Sequence, residues 1–184
     1  AQFSGMGLGL YRSEAVFRNT IDRCDELLAG VLASSLRDVM FEHPNLLKLV
    51  QTAYTQPAMF ALQWALVELW KSWGIQPSIV LGHSIGELAA ACAAGLMTWQ
   101  SGLLFAARRG ALMQSLKTAG QMSAILESRS VVSEFLERHS IQASIAASNG
   151  PNNTVISGPS EEIERAYALA RDHRLAAIRL NVSH

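Results

Sequence analysis

Gly82-His83-Ser84-Ile85-Gly86 constrains this chain more than any other segment. It follows the apolar run Ser78-Ile79-Val80-Leu81 and opens the alanine-rich stretch Glu87-Leu88-Ala89-Ala90-Ala91-Cys92. A buried strand entering a helix through G-x-S-x-G is a nucleophile elbow. The turn is tight enough that strand and helix backbones crowd, so both glycines are expected to be there because a Cβ would clash. The serine between them is expected in a strained conformation with its Oγ pushed outward. The Ile85 N–H at the head of the helix then points where an oxyanion would form. The plainer reading is a strand–helix turn with a buried serine. The flanking strand and helix patterns favour Ser84 as a nucleophile and Ile85 as an oxyanion donor.

Composition narrows the classes. The 184 residues are 49% hydrophobic and 16% charged, as in a folded and rather apolar chain. Fifteen basic residues balance fifteen acidic ones, so the basic stripe of a nucleic-acid binder is not expected. No uncharged apolar run reaches 18 residues, and the opening Ala1-Gln2-Phe3-Ser4-Gly5 lacks the pattern of a secretory leader. Cys24 and Cys92 are far apart in helical patterns and do not read as a disulfide framework; Cys92 reads as core filling. A cytoplasmic location is expected.

Along the chain, residues 1–12 read as a glycine-rich loop turning into a helix. From Ser13 to about Leu32, Val16, Phe17, Ile21, Leu27 and Leu28 recur at helical spacing. Pro57 suits the first turn of a helix that runs to about Trp73 and buries Phe60, Leu62, Trp64, Leu66, Leu69 and Trp70. Gly74-Ile75-Gln76-Pro77 breaks it before the strand and elbow. A helix over about Thr98–Leu116 carries Leu103, Leu104, Ala107 and Leu112 on its apolar side. Beyond Gly120 the spacing predicts a strand at Gln121–Leu126, a helix at Val131–His139 and strands at Ile141–Asn149 and Asn153–Gly158. Ser160-Glu161-Glu162 starts a helix that runs to about His173, and Leu175–Val182 is a last strand. The order β-α-β-β-α-β is the ferredoxin-like split. The chain thus reads as an α/β part over residues 1–119 and a small α+β part over 120–184.

A serine nucleophile needs a general base, usually histidine. His83 is adjacent to Ser84, and neighbouring side chains diverge at a sharp elbow; it is expected to pack beneath the turn. His43, His139 and His173 sit in polar surroundings and read as surface residues, and His184 is the last residue. No H-x-x-x-H or C-x-x-C suggests a metal site. On the residues alone the chain has a nucleophile and no well-placed base. Arg108-Arg109-Gly110 lies in an otherwise apolar helix. One guanidinium can clamp a carboxylate through two N–H groups while the other lies on the surface, and position alone leaves both readings open.

Together these residues resemble the malonyl-CoA:acyl-carrier-protein acyltransferase domains of polyketide and fatty-acid synthases. The resemblance spans Gly5-Met6-Gly7, Thr55-Gln56-Pro57-Ala58, Gly82 to Ala90, Ala106-Ala107-Arg108-Arg109-Gly110 with Met113, Ser148-Asn149-Gly150-Pro151, and Val182-Ser183-His184. It implies a hydrolase-like parallel sheet bearing the elbow, incomplete here, plus a ferredoxin-like subdomain. It implies that Ser84 takes an acyl group from CoA and passes it to the phosphopantetheine thiol of an acyl carrier protein, with no bound cofactor. Arg109 would pair with the carboxylate of a malonyl-type group, Gln56 would line the pocket, and Asn149 would border the cleft. Ile85 and a motif beginning with His184 resemble the malonyl-selecting type, a bulkier wall where an α-methyl would sit. Malonyl-CoA, the carrier protein and neighbouring domains such as a ketosynthase are the implied partners, with no nucleic acid and no membrane.

The resemblance also implies what the chain departs from. The family's Gly-Gln-Gly oxyanion turn would precede Ala1, and its catalytic histidine would follow His184 by three residues. A fragment of a longer domain, a poor catalyst by itself, is therefore expected. A serine hydrolase or thioesterase shares the elbow but needs no Arg109. A non-catalytic docking module is the reading from a different class.

Overall fold

The computed structural model describes residues 2–42, 46–116 and 120–180. The chain divides into two compact units, Ala1–Ser115 and Leu116–His184.

The first unit is helical: α1 (Leu8–Ser13), α2 (Ala15–Leu28), α3 (Leu36–Phe41), α4 (Leu46–Leu49), α5 (Thr52–Ser72), α6 (Gly86–Ala93) and α7 (Trp99–Gln114). Its core joins Phe17, Ile21 and Cys24 of α2 to Phe60, Ala61 and Ala65 of α5 and to Leu103 and Ala106 of α7. The predicted α2 stripe is shifted: Thr20, Cys24 and Leu28 are buried with Phe17 and Ile21, while Val16 is exposed. Asp25 of α2 caps the short α3 from outside, accepting the backbone N–H of Leu36 at 2.7 Å and the Ser35 hydroxyl at 3.0 Å.

Helix α5 begins at Thr52, so Pro57 lies in its second turn rather than its first. The early turns are held from outside the helix. Gln114 Oε1 of α7 accepts the Ala53 N–H at 2.9 Å, and the Thr55 hydroxyl donates to the carbonyls of Leu49 and Gln51. These anchors offset the bond that Pro57 cannot donate. Trp64 is buried as expected, but Trp70 is exposed and meets Trp73 edge to face at 5.2 Å. On α7 the buried face is made of small residues, Gly102, Ala106 and Gly110, with Leu103 and Ala107; Leu104 and Leu112 are exposed. A Cβ at Gly110 would stand 2.6 Å from the Thr52 carbonyl oxygen, and one at Gly102 would stand 2.7 Å from Cys92 Sγ. This face works because its side chains are small enough for α7 to lie against the α5 backbone at Gly110 and against the Cys92 and Phe60 side chains at Gly102.

The expected strand over Ser78–Leu81 makes no ladder among the described residues of this unit, whose one β contact is an isolated bridge between Ala29 and Leu32. A strand exists only by pairing, and here Ile79 is 89% and Leu81 94% exposed.

The second unit holds β1 (Gly120–Ile125), α8 (Arg129–Arg138), β2 (Ser144–Gly150), β3 (Asn153–Pro159), α9 (Ser160–Asp172) and β4 (Ala177–Leu180). Its antiparallel sheet has the order β2-β3-β1-β4, which is the ferredoxin-like split. The core is Ile125 and Ile156 of the sheet against Val132, Phe135 and Leu136 of α8 and Ile163, Ala166 and Ala170 of α9. The Ser128 hydroxyl caps α8, and Glu161 and Glu162 sit in the first turn of α9 where the helix dipole favours them. The register of β2 on β3 steps past Ala146 and Asn149, leaving each bulged on an edge strand.

Both cysteines are free and buried. Burial pushes the Cys24 thiol up to about 12 and raises that of Cys92. Neither is poised as a nucleophile.

Candidate active site

The turn before α6 has the strain expected of an elbow. Ser84 lies at φ 54°, in the left-handed region that side-chain-bearing residues avoid. The chain then closes on itself: the Gly86 N–H donates to the His83 carbonyl at 3.0 Å and the Glu87 N–H to the Ser84 carbonyl at 3.1 Å. Gly82 is dictated by space, since a Cβ there would lie 2.3 Å from the Glu87 backbone nitrogen and 2.4 Å from the Gly86 carbonyl carbon. Gly86 is not. A Cβ on Gly86 would meet only the side-chain nitrogen of Gln63, at an ordinary 3.5 Å. The crowding expected at both glycines is therefore confined to the first.

The elbow presents Ser84 exposed at the head of α6. The N–H groups of Gly86, Glu87 and Leu88 are occupied by turn carbonyls; that of Ile85 has no acceptor among the described residues. A free backbone donor next to the nucleophile, at the positive end of a helix, is the electrostatic requirement of an oxyanion site. The Ile85 side chain packs against the unit's core and holds the turn down.

His83 does not pack beneath the elbow. It is exposed and, with Gly82, Ile79, Val80 and Leu81, walls a groove of about 450 Å³ on whose far side stand Gln63 and Val67 of α5. Among the described residues no strand covers this face. Ser84 is not among the walls of that groove.

The two arginines separate as one buried and one surface group. Arg108 is exposed, whereas Arg109 is half-buried and donates from Nη1 to Gln56 Oε1 at 2.7 Å. Gln56 is itself buried, and its Nε2 donates to Thr52 Oγ1 at 3.0 Å and to Met113 Sδ at 3.1 Å. Fifty-three residues separate Arg109 from Gln56, and the close α5–α7 approach at Gly110 brings them together. Among the described residues no carboxylate pairs with Arg109. A half-buried guanidinium oriented by a neutral amide keeps its full charge for an anionic ligand.

Thr52 was not expected as a part of the site. The signal was available: Thr52 and Gln56 are one helical turn apart on α5, and Arg109 and Met113 one turn apart on α7. Reading it required placing the start of α5 at Thr52.

In the second unit, Asn149 is exposed at its bulge on β2. His139 and His173, expected at the surface, cap the C-termini of α8 and α9; His173 is exposed, but His139 is half-buried. Their rings lie 4.8 Å apart, with His139 against Phe135. His43 and His184 fall outside the described residues. Among the described residues no group of three or more His, Cys, Asp or Glu side chains is arranged to hold a metal, and no helix is long and apolar enough to cross a membrane.

The family model described as "Acyl transferase domain" matches residues 1–184. The PKS-NRPS hybrid synthetase ATPKS of Aspergillus niger is 42% identical over 170 residues, 89% of this chain and 9% of that protein. The mycoketide-CoA synthase of Mycobacterium tuberculosis is 38% identical over 185 residues, covering 100% of this chain and 4% of that protein. Among solved structures, the acyltransferase domain from module 8 of the salinomycin polyketide synthase superposes with a TM-score of 0.91 at 30% identity, covering 100% of this chain and 44% of that one. The malonyl CoA-acyl carrier protein transacylase of Clostridium perfringens gives a TM-score of 0.87 at 28% identity, covering 100% of this chain and 58% of that one. This chain spans less than a tenth of these curated relatives and less than two thirds of these solved chains. An elbow built as above, within a fold that superposes on such domains along its whole length, has one origin: the chain belongs to the acyl transferase domain family.

Proposed function

We propose that the domain carrying this chain moves a malonyl unit from CoA to the phosphopantetheine thiol of an acyl carrier protein, through an ester on Ser84. The observation that carries this reading is the left-handed Ser84 at the head of α6, next to the unused Ile85 N–H. Ser84 Oγ attacks the thioester carbonyl and the coenzyme leaves as the thiol. The negative oxygen formed on the way is stabilised by the Ile85 N–H and the helix dipole. The carrier's thiol then attacks the Ser84 ester, and the serine hydroxyl is regenerated.

Arg109 distinguishes a dicarboxylic acyl group from a neutral one, since a fixed guanidinium offers a carboxylate two parallel charge-assisted bonds. A thioesterase or other hydrolase acting on neutral esters leaves the Gln56–Arg109 pair without a role, and no observation favours a purely docking function. Asn149 and His184 keep the substrate-binding assignments that the resemblance gives them. Residues 1–119 are assigned to the acyltransferase core and 120–184 to its small subdomain, with a ketosynthase as a neighbouring partner and no bound cofactor.

The test is intact mass of the full-length domain after incubation with malonyl-CoA. One malonyl adduct is expected, absent in Ser84→Ala and strongly reduced in Arg109→Ala. Transfer to a carrier protein follows when that partner is added. An adduct that persists in Ser84→Ala ends the reading.

A further inference from the structure

Gln56 is a buried amide whose two ends both have partners. Its oxygen accepts from Arg109, and its nitrogen donates to the Thr52 hydroxyl and the Met113 thioether. Turning the amide over would set its NH2 against the guanidinium, donor against donor, and its oxygen against sulfur. The Arg109 N–H and the Met113 sulfur therefore fix which end of Gln56 faces Arg109, and the Thr52 hydroxyl holds the nitrogen end in place. The resemblance makes Gln56 a lining residue; both of its N–H groups and its oxygen also have protein partners.

We propose that Gln56 is a specificity-determining positioning residue, held by Thr52 and Met113, that fixes Arg109 as a receptor for a carboxylate on the acyl group. The inference rests on the function proposed above and adds the residues that set the receptor's charge and direction. Of the five N–H groups on the guanidinium, Gln56 engages one on Nη1, so the edge formed by Nε and Nη2 stays whole for a bidentate partner. Because the orienting group is an amide, it supplies an acceptor without neutralising the cation. A carboxylate at position 56 would do both, and would compete with the substrate. The close α5–α7 approach at Gly110 sets the span that one glutamine bridges.

The experiment compares acylation of the full-length domain by malonyl-CoA and by acetyl-CoA in wild type, Gln56→Glu, Thr52→Val and Arg109→Ala. Gln56→Glu is expected to lower the malonyl preference by about thirtyfold or more, through KM rather than kcat, the scale of one charge-assisted hydrogen-bonded contact. Thr52→Val removes one acceptor with little change in shape and is expected to lower the preference in the same direction by about threefold. An equal loss with both substrates, or an unchanged preference in both variants, overturns the inference. If Arg109→Ala collapses the preference while Gln56→Glu and Thr52→Val leave it intact, the carboxylate receptor stands and the role of Gln56 falls. If Arg109→Ala also leaves it intact, the receptor itself is wrong. Should Gln56→Glu fail to fold by circular dichroism, Thr52→Val decides.

Discussion

The two units solve the problem of backbone pairing in opposite ways. In Leu116–His184 every strand has a partner: four strands close one antiparallel ladder over a core sealed by two helices. In Ala1–Ser115 the helices pack tightly around Phe17, Phe60 and Leu103, yet Ile79 and Leu81 stand almost wholly in solvent and the segment makes no ladder among the described residues. The elbow nevertheless has its strained shape. A local device contributes to that shape: a Cβ on Gly82 would stand against the backbone of Gly86 and Glu87, so only glycine fits the turn there.

The largest effect that would break this contrast is expected from Gly82→Ala. A methyl group 2.3–2.4 Å from backbone atoms cannot be absorbed by a side-chain rotation. Acylation of Ser84 should be abolished and the first unit destabilised by about 3 kcal/mol or more, read as lost amide-exchange protection in α6. Unchanged protection in α6 would show that the turn is not built on that contact.

Ile156→Ala is the matching cut in the second unit. Ile156 is fully buried between sheet and helices, so the cavity should cost about 2–5 kcal/mol, with lost exchange protection across β1 and β3. A smaller loss would mean that this ladder is held by more than its core.

Ser84 measures the local strain directly. Both Ser84→Gly and Ser84→Ala remove the nucleophile, but only glycine accepts φ 54° without penalty. Thermal or denaturant unfolding should find the glycine variant more stable than the alanine variant by about 1 kcal/mol. Equal stabilities would place no strain at this residue.

The smallest effect concerns pH. The folded-state pKa of Cys24 lies above its ordinary value of 9.0, at about 12, because burial disfavours the thiolate. Its contribution to stability is complete below pH 9.0 and declines as pH rises from there toward 12. Cys24→Ala should flatten that alkaline decline in denaturant titrations of the first unit, whatever it costs at neutral pH.

The second unit was legible nearly element by element because its signals are local. Ser160-Glu161-Glu162 marks a helix start, and Pro151 and Asn152 turn the hairpin between β2 and β3; the Ser128 cap, which starts α8 two residues before the expected Val131, was not read. The first unit was legible only where its structure is local too. Gly82 and Ser84 could be read from the motif; the exposure of Leu81 and His83 could not, because burial depends on what lies alongside. Leu104 and Leu112 misled for a related reason. The sequence suggests that large apolar residues face the core, whereas α7 turns its smallest residues inward so that α5 can approach. Arg109 and Gln56 were both expected at the site; that they pair was not, because the pairing depends on how closely α5 and α7 approach at Gly110.

The elbow also bears on how such a site can diversify. Its tightest point is where a Cβ on Gly82 would meet the backbone of Gly86 and Glu87, and the exposed His83 side chain takes no part in it. The His83 side chain is therefore uncoupled from the geometry that presents the nucleophile, whereas Ile85 packs against the unit's core. A library varied at position 83 would sample new groove walls on an unchanged reactive turn, whereas one varied at position 82 would sample mostly unfolded protein.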